Sequence, residues 1–336
     1  MKSMSFLYLT QDNSKIRCRE NECIVEYGEN EKQIIPIETL DGIDIFGSVQ
    51  LTTQAIQKFL LKGIPVSFYA KGGKYFGKLI STGHINAKRQ RKQSLLGLNN
   101  EQCLILDKRI ISAKANNQLV ILRRYSRNRE EDITGEIKGI KSLINKIEKC
   151  KDIRSLMGYE GSIAKNYFKA LGKLIDEKFK FTKRSRRPPR DEFNSLISYG
   201  YTIIFNEIYG KIEKHGLNPY FGFLHSDDEN HPTLCSDLME EWRPVIVDSL
   251  VMSLINGHEI LKEHFNITDE GGVYLKHEAH KIFIKRINDK LLTQQKYIEN
   301  IDYEVTFRRG IDLQVINLVH AIEEGDLSLY KPVRIR

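Results

Sequence analysis

The sequence has little of what marks disulfide-rich, zinc-binding or fibrous proteins. Its 336 residues include 5 cysteines, 8 prolines and one tryptophan. The cysteines are odd in number and no Cys-x-x-Cys pair occurs, so neither a disulfide framework nor a zinc knuckle is indicated, and a reducing compartment is favoured. With 40% hydrophobic and 29% charged residues, the chain has the composition of a folded globular protein.

Long hydrophobic runs are also missing. The N-terminal segment MKSMSFLYLTQDNSK has an apolar run too short for a signal peptide. The longest apolar tract, near Val245 to Ile255, is interrupted by Asp248 and Ser249, so it does not predict a membrane span. We therefore expect a soluble, cytoplasmic protein that has no membrane partner.

Several familiar catalytic motifs do not occur. The sequence contains no Gly-x-Gly-x-x-Gly, P-loop, Gly-x-Ser-x-Gly or His-Glu-x-x-His pattern. These patterns are the usual signatures of dinucleotide binding, nucleotide hydrolysis, serine hydrolysis and zinc proteolysis. Their absence removes the common sequence evidence for those activities.

Chain length and hydrophobic spacing predict an α+β protein of two domains, because 336 residues exceed the size at which one core usually keeps growing. Residues 1–85 contain short β-branched and aromatic runs, with one amphipathic helix over Thr52–Lys62. Residues 96–336 show long helical periodicity and predict an all-α domain. Residues 86–95 are basic and polar with no apolar face, so we predict a linker there. The predicted strands are SFLYLT, KIRCR, CIVEY, QIIPI, PVSFYA and YFGKLI.

The charge balance favours an acidic partner. The chain carries 52 basic and 44 acidic side chains, a net charge of +8. Residues 1–85 hold 10 basic and 9 acidic side chains, so residues 86–336 hold 42 and 35. Nearly all the excess positive charge therefore belongs to the helical domain, which we expect to bind a polyanion such as nucleic acid.

Basic side chains concentrate in three segments of the helical domain. In residues 178–190, KFKFTKRSRRPPR, seven of thirteen residues are Lys or Arg, and two prolines predict a loop that phosphate contacts could order. A second segment covers residues 88–92 and a third covers residues 123–129. The alternative is a solvated loop without a ligand. The side chains predicted to contact phosphates are Lys88, Arg89, Arg91, Lys92, Lys183, Arg184, Arg186, Arg187 and Arg190.

Glu160 is the first candidate for chemistry. Residues 153–175 show the spacing of an amphipathic helix, and Glu160 occupies a position where the apolar stripe requires an apolar residue. A carboxylate facing a core must be protonated, paired with a cation or bound to a metal. The flanking Gly158 and Gly161 leave room for a ligand to approach. A salt bridge to a Lys or Arg is the alternative to a metal role.

A second cluster follows an aromatic run. His225 ends an apolar segment, and Asp237, Glu240 and Glu241 then occur at spacings that place them on one side of a helical turn. One imidazole and two or three carboxylates suit Mg²⁺ or Mn²⁺. The alternative is that these acidic residues only complement the helix dipole at an N-terminus. Pro244 predicts a kink or restart of this helix, and His231 is predicted to be solvated.

Taken together, these segments resemble the Cas-one family of CRISPR-associated integrases and endonucleases, which act in spacer acquisition. The resemblance covers essentially the whole chain, and the order of the matching fragments makes it specific. It begins with the stretch from Ile35 to Leu79. The helical fragments that resemble the family are KANNQLVILRR, GYEGSIAKNYF, RRPPRDEFNSLISYGY, GFLHS, SDLMEEWRP, FRRGIDLQV and YKPVRIR.

The resemblance implies a β-sandwich-like N-terminal domain and an all-helical catalytic domain that binds Mg²⁺ or Mn²⁺. The implied metal ligands are Glu160 in GYEG, His225 in GFLH and Glu240 in SDLMEE, with Asp237 beside the metal as a further catalytic residue. The chain has Glu where some relatives have Asp and carries a longer SDDENHPTLC insert, so the division of roles between Asp237 and Glu240 stays open.

The resemblance also implies partners and a reaction. We expect a homodimer formed through residues 1–85, and a small Cas-two dimer that bridges two such dimers in a heterohexamer. Double-stranded DNA would serve both as spacer precursor and as repeat array, and a 3′-hydroxyl would attack a phosphodiester at the repeat boundary. His225 must be neutral to bind metal, so activity is expected to fall at acidic pH.

Two other functions stay open. One is a stand-alone metal-dependent nuclease for branched or single-stranded DNA in repair, which would not require a free 3′-hydroxyl. The other is a non-catalytic DNA-binding scaffold in which the Glu, His and Glu side chains are structural. A metal hydrolase of small substrates fits poorly with three basic segments.

Overall fold

The structure is a computed structural model that describes residues 5–28, 31–71, 75–83, 85–127, 129–226, 228–296, 298–299 and 301–336. The chain divides into two compact units. Unit one comprises residues 1–85 and 276–284, and unit two comprises residues 86–275 and 285–336. Among the residues described, none of the helices combines the length and the hydrophobicity that a transmembrane span requires.

The described residues up to Gly83 form two four-stranded sheets and one α-helix. The elements are β1 (Ser5–Leu9), β2 (Ser14–Arg19), β3 (Glu22–Tyr27), β4 (Glu31–Pro36), β5 (Leu40–Phe46), β6 (Val49–Leu51), α1 (Thr53–Lys62), β7 (Val66–Tyr69) and β8 (Tyr75–Leu79). The sheet orders are β1-β5-β7-β8 and β4-β3-β2-β6. In the first sheet β1, β5 and β7 are parallel neighbours, whereas β2, β3 and β4 pair antiparallel in the second.

The two sheets share one hydrophobic core, as in a β-sandwich. Leu9 and Ile45 from the first sheet, Ile16 and Val25 from the second, and Phe59 from α1 all belong to it and are almost completely buried. The predicted helix is confirmed, and so is each predicted strand. Strands β5 and β6 were not predicted.

The remaining residues are mainly helical, so the predicted α+β class is confirmed. The elements are α2 (Ala87–Gly97), α3 (Asn100–Ser126), α4 (Thr134–Glu148), α5 (Ile153–Leu174), α6 (Glu192–Lys214), α7 (Thr233–Trp242), α8 (Ser249–Asn256), β9 (Phe265–Ile267), β10 (Val273–Leu275), α9 (His277–Leu292), β11 (Gln294–Gln295), β12 (Val305–Thr306) and α10 (Phe307–Glu324). Two short antiparallel strand pairs, β9–β10 and β11–β12, are additions that the predicted all-α domain lacked.

Within the predicted linker, residues 86–95, the structure places residues 87–95 in helix α2. Asn86 caps this helix by accepting a hydrogen bond from the Arg89 backbone N–H. Gln93 is fully buried, and its amide donates to the carbonyl oxygens of Asn218 and Phe221 at 2.8 and 2.7 Å. The helix therefore packs through a buried amide rather than an apolar face, which is why hydrophobic spacing did not reveal it.

Helix α3 is the long central element of unit two and contacts α4, α5 and α7. Helix α7 continues into a π-helical turn, Arg243–Asp248, before α8 begins. Pro244 lies in this turn; it has no N–H to donate, and its ring crowds the carbonyl four residues earlier. The irregularity predicted at Pro244 is thus confirmed.

Candidate active site

Glu160 of α5 and Glu240 of α7 share one buried cation, the ammonium group of Lys114 on α3. Lys114 Nζ lies 2.5 Å from Glu160 Oε1 and 2.6 Å from Glu240 Oε2. The side chains of Lys114 and Glu240 are 8% and 5% exposed, and that of Glu160 is 21% exposed. Glu160 and Glu240, called the carboxylate pair below, are thus brought together, and the ion pair considered from the sequence is present.

Arg243 supplies a second cation to the carboxylate pair. Its Nη2 lies 3.2 Å from Glu240 Oε1, and its guanidinium lies 4.8 Å from the centre of the Tyr201 ring. Burial acts to raise the pKa of Glu240, but the charges of Arg243 and Lys114 outweigh it and lower the pKa to about 2. Burial lowers the pKa of Lys114, yet its two carboxylate partners raise it overall. Both groups are therefore charged at neutral pH.

Asp237 holds the loop that carries His225. Its side chain is completely buried, and Oδ2 accepts hydrogen bonds from the backbone N–H groups of Phe223 at 2.7 Å and Leu224 at 3.1 Å. Oδ1 accepts a third from the backbone N–H of His225 at 3.1 Å. Three successive backbone donors thus converge on one carboxylate, which determines the course of the loop beside α7.

The imidazole of His225 is oriented by the same carboxylate. His225 Nδ1 lies 2.6 Å from Asp237 Oδ1, while Nε2 makes no hydrogen bond to the residues described. Burial acts to lower the pKa of His225, but the hydrogen bond to Asp237 and the charges of Asp237 and Glu240 raise it overall. A carboxylate on one ring nitrogen is the arrangement that metal-binding histidines use to present the other nitrogen.

Gly222 allows this loop to approach α7 closely. A Cβ atom at residue 222 would lie 2.7 Å from Thr233 Oγ1 and 2.9 Å from Asp237 Oδ2, closer than a carbon atom can approach. The Gly222 backbone N–H donates to Thr233 Oγ1 at 2.9 Å. The loop around Asp237 therefore requires glycine here for steric reasons.

The residues present fit a divalent cation, although the described ranges contain no preformed group of three His, Cys, Asp or Glu side chains around one point. An ammonium group within hydrogen-bonding distance of one oxygen of each carboxylate marks a position where a positive charge is stabilised between them. Two carboxylates and one imidazole are a donor set that Mg²⁺ and Mn²⁺ accept.

Sequence reasoning missed several groups that support the carboxylate pair. Tyr201 and Tyr167 donate hydrogen bonds to the two oxygens of Asp248 at 2.6 and 3.0 Å. Burial raises the pKa of Asp248 to about 6, although both tyrosine hydrogen bonds oppose that shift. Lys114 lies on a buried face of α3 that also carries Asp107, Asn117 and Gln118, so no interruption of an apolar stripe marked it in the sequence. The groups missed are Lys114, Tyr167, Tyr201, Arg243 and Asp248.

Glu241, which the spacing places on the same side of the turn as Asp237 and Glu240, has partners of its own. Glu241 Oε2 accepts from the Val333 backbone N–H at 2.7 Å and from the Gln314 side chain at 2.9 Å. Its other oxygen accepts from the Tyr330 hydroxyl at 3.0 Å. Glu241 therefore anchors the C-terminal segment to α7.

Several of the basic side chains predicted to contact phosphates are engaged within the protein. Arg89 forms hydrogen bonds with Glu323 and with the His215 carbonyl, and Lys92 donates to the Glu323 carbonyl at 2.7 Å. These contacts hold α2 against the end of α10. Arg89 and Lys92 consequently have structural partners that the sequence did not reveal.

Residues 178–190 follow an irregular course after a short 3-10 turn, as predicted for a loop. Arg184 is engaged: it donates to Asn194 Oδ1 at 2.8 Å and to Ser198 Oγ at 3.1 Å, both on α6. Arg190 donates to the Glu270 carbonyl at 2.5 Å. The predicted side chains that are exposed and for which no such bond is described are Lys88, Arg91, Lys183, Arg186 and Arg187.

His231, predicted to be solvated, is partly buried instead. Its Nε2 lies 2.8 Å from Ser236 Oγ, and its ring stacks on Phe205 with centroids 6.1 Å apart. Burial and the nearby charge of His225 lower the pKa of His231. The acidic loop is therefore tied to the first turns of α7 through this imidazole.

The model for the family described as CRISPR associated protein Cas1 matches residues 7–289. The chain belongs to this Cas-one family. A curated relative from Mycobacterium tuberculosis, CRISPR-associated endonuclease Cas1, is 36% identical over 323 residues, which cover 96% of this chain and 95% of the relative. The family membership predicted from the sequence fragments is thus confirmed.

Two solved structures have the same fold as this Cas-one chain. One is a Cas6-RT-Cas1-Cas2 complex with a TM-score of 0.83 and 24% identity, covering 98% of this chain and 36% of that chain. The other is a casposase bound to an integration product with a TM-score of 0.82 and 23% identity, covering 97% and 93%. At these identities the likeness shows the fold.

Proposed function

We propose that this chain is a metal-dependent DNA integrase and endonuclease of CRISPR adaptation. In this proposal it joins the 3′-hydroxyl ends of short duplex DNA to a repeat array by transesterification. The observation that carries the proposal is the carboxylate pair around a cation position, near the imidazole that Asp237 orients. Family membership supports it, since the M. tuberculosis relative is named an endonuclease and the casposase is named as bound to an integration product.

The proposed ligands of Mg²⁺ or Mn²⁺ are Glu160, Glu240 and Nε2 of His225. A bound metal would supply charge stabilisation on the phosphate and activation of the attacking or leaving oxygen. Asp237 would act by holding His225, because its oxygens already accept one ring N–H and three backbone N–H groups. This division of roles assigns metal binding to Glu240 and positioning to Asp237.

The guanidinium of Arg243 makes this site suitable for an anionic substrate. Its Nη2 pairs with Glu240, but its Nε is buried and has no acceptor among the described residues. A buried donor without an acceptor is costly, and a phosphate oxygen would satisfy it. Arg243 would therefore help to place the scissile phosphate beside the carboxylate pair.

The DNA backbone would be held by the exposed basic side chains of unit two, and such contacts carry no sequence information. Double-stranded DNA is the proposed substrate, both as spacer precursor and as repeat array. The residues proposed for backbone contacts are Lys88, Arg91, Lys183, Arg186 and Arg187, whereas Arg89, Lys92, Arg184 and Arg190 would act mainly by shaping the surface.

The proposed assembly is a homodimer formed through the strand-rich residues 1–85, with two dimers bridged by a Cas-two dimer. One solved structure of the same fold is named as a complex with Cas2, which supports this choice of partner. Residues 96–336 would form the catalytic and DNA-binding part, and α2 would belong to it rather than serve as a linker.

The requirement for a 3′-hydroxyl tests the reaction. A labelled short duplex with 3′-hydroxyl ends and the same duplex with 3′-dideoxy ends are incubated with a repeat-carrying plasmid, the Cas-two partner and Mn²⁺. Joining of the hydroxyl duplex alone is expected. Metal-dependent cutting of the plasmid with both duplexes and joining of neither would favour a repair nuclease, and DNA binding without reaction would favour a scaffold.

A further inference from the structure

A basic cleft lies on the side of α3 that faces away from the carboxylate pair. Its volume is about 610 Å³. Ile105 lines the cleft and stands nine residues before Lys114, which is two and a half turns of an α-helix and places the two on opposite faces. The lining residues are Ile105, Lys108, Arg109, Ser112, Ile147, Glu148, Glu299, Lys331, Pro332 and Arg334.

Two arginines of the cleft are held in place by the protein. Arg109 Nη1 donates to the Tyr330 carbonyl at 2.8 Å, and Arg334 Nη2 donates to Ser112 Oγ at 3.2 Å. Because one nitrogen of each guanidinium is hydrogen-bonded within the protein, these side chains lose little conformational entropy when a ligand binds. The cleft is therefore partly preorganised for an anion.

Arg334 lies in the C-terminal segment between two buried residues, and this arrangement directs its side chain to the cleft. Val333 and Ile335 are buried, and their backbone N–H groups donate to Glu241 Oε2 at 2.7 Å and Asn117 Oδ1 at 3.0 Å. Lys331 is anchored likewise, because its backbone N–H donates to Asn317 Oδ1 at 2.7 Å. The two basic side chains thus extend from a backbone that is tied down on both sides.

Arg334 also carries a donor without an acceptor. Its Nε is buried and makes no hydrogen bond within the described ranges, although Arg334 lines a cavity. Buried donors in folded proteins nearly always have a partner, so each exception requires an explanation. A rotation of the guanidinium would bring this donor to an anion in the cleft.

We propose that the cleft binds one phosphate group, at a site separate from the proposed catalytic centre. Arginine favours phosphate because its planar fork matches two phosphate oxygens. Four cationic side chains and two carboxylates, those of Glu148 and Glu299, line the cleft. The two carboxylates would repel a continuous run of phosphates, so the cleft favours a single phosphate group. The phosphate belongs either to DNA or to a free phosphate ester; the DNA source rests on the proposed function, whereas the phosphate site itself does not.

Two substitutions and a matched control test the site. Arg334→Gln and Lys331→Gln each remove one positive charge from the cleft, and Lys141→Gln removes one from an exposed position of α4 outside it. Melting curves establish that each variant folds, and Arg334→Lys keeps the charge if Arg334→Gln does not fold. Calorimetry with inorganic phosphate measures the site directly, and fluorescence anisotropy of a labelled duplex over a range of salt concentrations measures DNA binding.

We expect the wild-type protein and Lys141→Gln to bind inorganic phosphate, and each cleft variant to bind it about tenfold more weakly. If DNA is the source, the cleft variants also lose DNA affinity. The slope of the logarithm of the DNA-binding constant against the logarithm of the salt concentration then falls in magnitude by about 1 for the lost phosphate contact. If only phosphate binding is lost, the site serves a free phosphate ester. Phosphate binding that is undetectable in the wild type, or equal in all folded variants, overturns the proposal. Wild-type protein that binds phosphate but no DNA would contradict the proposed function alone.

Discussion

Lys114 Nζ lies 2.6 Å from Glu240 Oε2, and both side chains are buried between α3 and α7. The same ammonium group also contacts Glu160, so the two proposed metal-binding carboxylates share one cation of the protein. Arg243 supplies a second positive charge, which pairs with Glu240. A chain that requires two carboxylates at one point must balance their charge when no metal is bound, and Lys114 and Arg243 together provide that balance.

The first prediction concerns the stability of the metal-free protein. Lys114→Met leaves the carboxylate pair without its ammonium partner, and breaking a buried ion pair in this way costs about 3–5 kcal/mol. Mn²⁺ should then raise the melting temperature of the variant by more than that of the wild type, because the metal replaces the lost charge. Differential scanning calorimetry with and without Mn²⁺ measures both effects.

Lys165→Met is the control for this experiment, since Lys165 is an exposed lysine on α5. It should melt like the wild type with and without Mn²⁺. An equal response of Lys114→Met and wild type to Mn²⁺ would show that the ammonium does not occupy the position of the metal.

Asp237→Asn is predicted to impair both folding and metal binding. Asparagine would present an amide N–H₂ to a site where Asp237 accepts from four N–H groups, and each buried donor left unsatisfied costs about 1–3 kcal/mol. Loss of the carboxylate behind His225 should weaken Mn²⁺ binding by about 10- to 100-fold. Urea unfolding and calorimetry test the two effects, with the exposed Asp269→Asn as control. Unchanged Mn²⁺ affinity in a folded Asp237→Asn protein would refute the positioning role.

Gly222→Ala is predicted to disturb the loop that carries His225. The new Cβ atom would meet Thr233 and Asp237 at less than 3 Å, so the loop must move away from α7. Strand transfer should fall with the displacement of His225. Gly135→Ala in α4 is the control, because a Cβ there meets nothing within 4 Å, and removing a glycine from a helix stabilises it by up to about 1 kcal/mol. Full activity of Gly222→Ala would mean that the loop position is not essential.

The pH dependence of stability should include a contribution from Asp107 of α3. Burial, followed by the charge of Asp237, raises the pKa of Asp107 to about 8, and Asp107 Oδ1 has no hydrogen-bond partner among the described atoms. The folded state therefore holds a proton that the unfolded state releases near pH 4, so this group lowers stability by roughly 1.4 kcal/mol per pH unit as the pH rises toward 8.

Asp107→Asn should remove this dependence of the free energy of unfolding on pH and stabilise the protein most at pH 8. Urea unfolding at pH 5, 6.5 and 8 measures the free energy of unfolding, and the exposed control Asp302→Asn should follow the wild type. If Asp107→Asn and wild type lose stability in parallel over this range, Asp107 is not the group responsible.

Local patterns were sufficient for much of the fold. Alternating β-branched runs indicated most strands of unit one, helical spacing indicated α1 and α5, and Pro244 marked the irregular turn after α7. The same patterns failed for α2, because this helix is held by Gln93, whose hydrogen-bond partners lie 125 and 128 residues away. Short-range spacing carries no information about such contacts.

The candidate site was predictable only in part. Glu160 was identifiable because a carboxylate interrupts an apolar stripe, and His225, Asp237 and Glu240 because of their grouping and the family resemblance. The cation between the carboxylates was not identifiable from the sequence, because Lys114 precedes Glu160 by 46 residues and only the packing of three helices brings them together. Charge compensation in a buried site depends on tertiary structure, and the residues that supply it are the ones that sequence reasoning missed.

Strand transfer tests the central claim most directly. A labelled short duplex with free 3′-hydroxyls is incubated with a supercoiled plasmid carrying a repeat, the Cas-two partner and Mn²⁺, comparing wild type, Glu160→Gln and the exposed control Glu177→Gln. Melting curves and DNA-binding assays establish that all three proteins fold and bind DNA. We predict joined product from wild type and Glu177→Gln and a loss of at least about a hundredfold in Glu160→Gln. Equal joining by all three proteins would contradict the claim that Glu160 belongs to the catalytic centre.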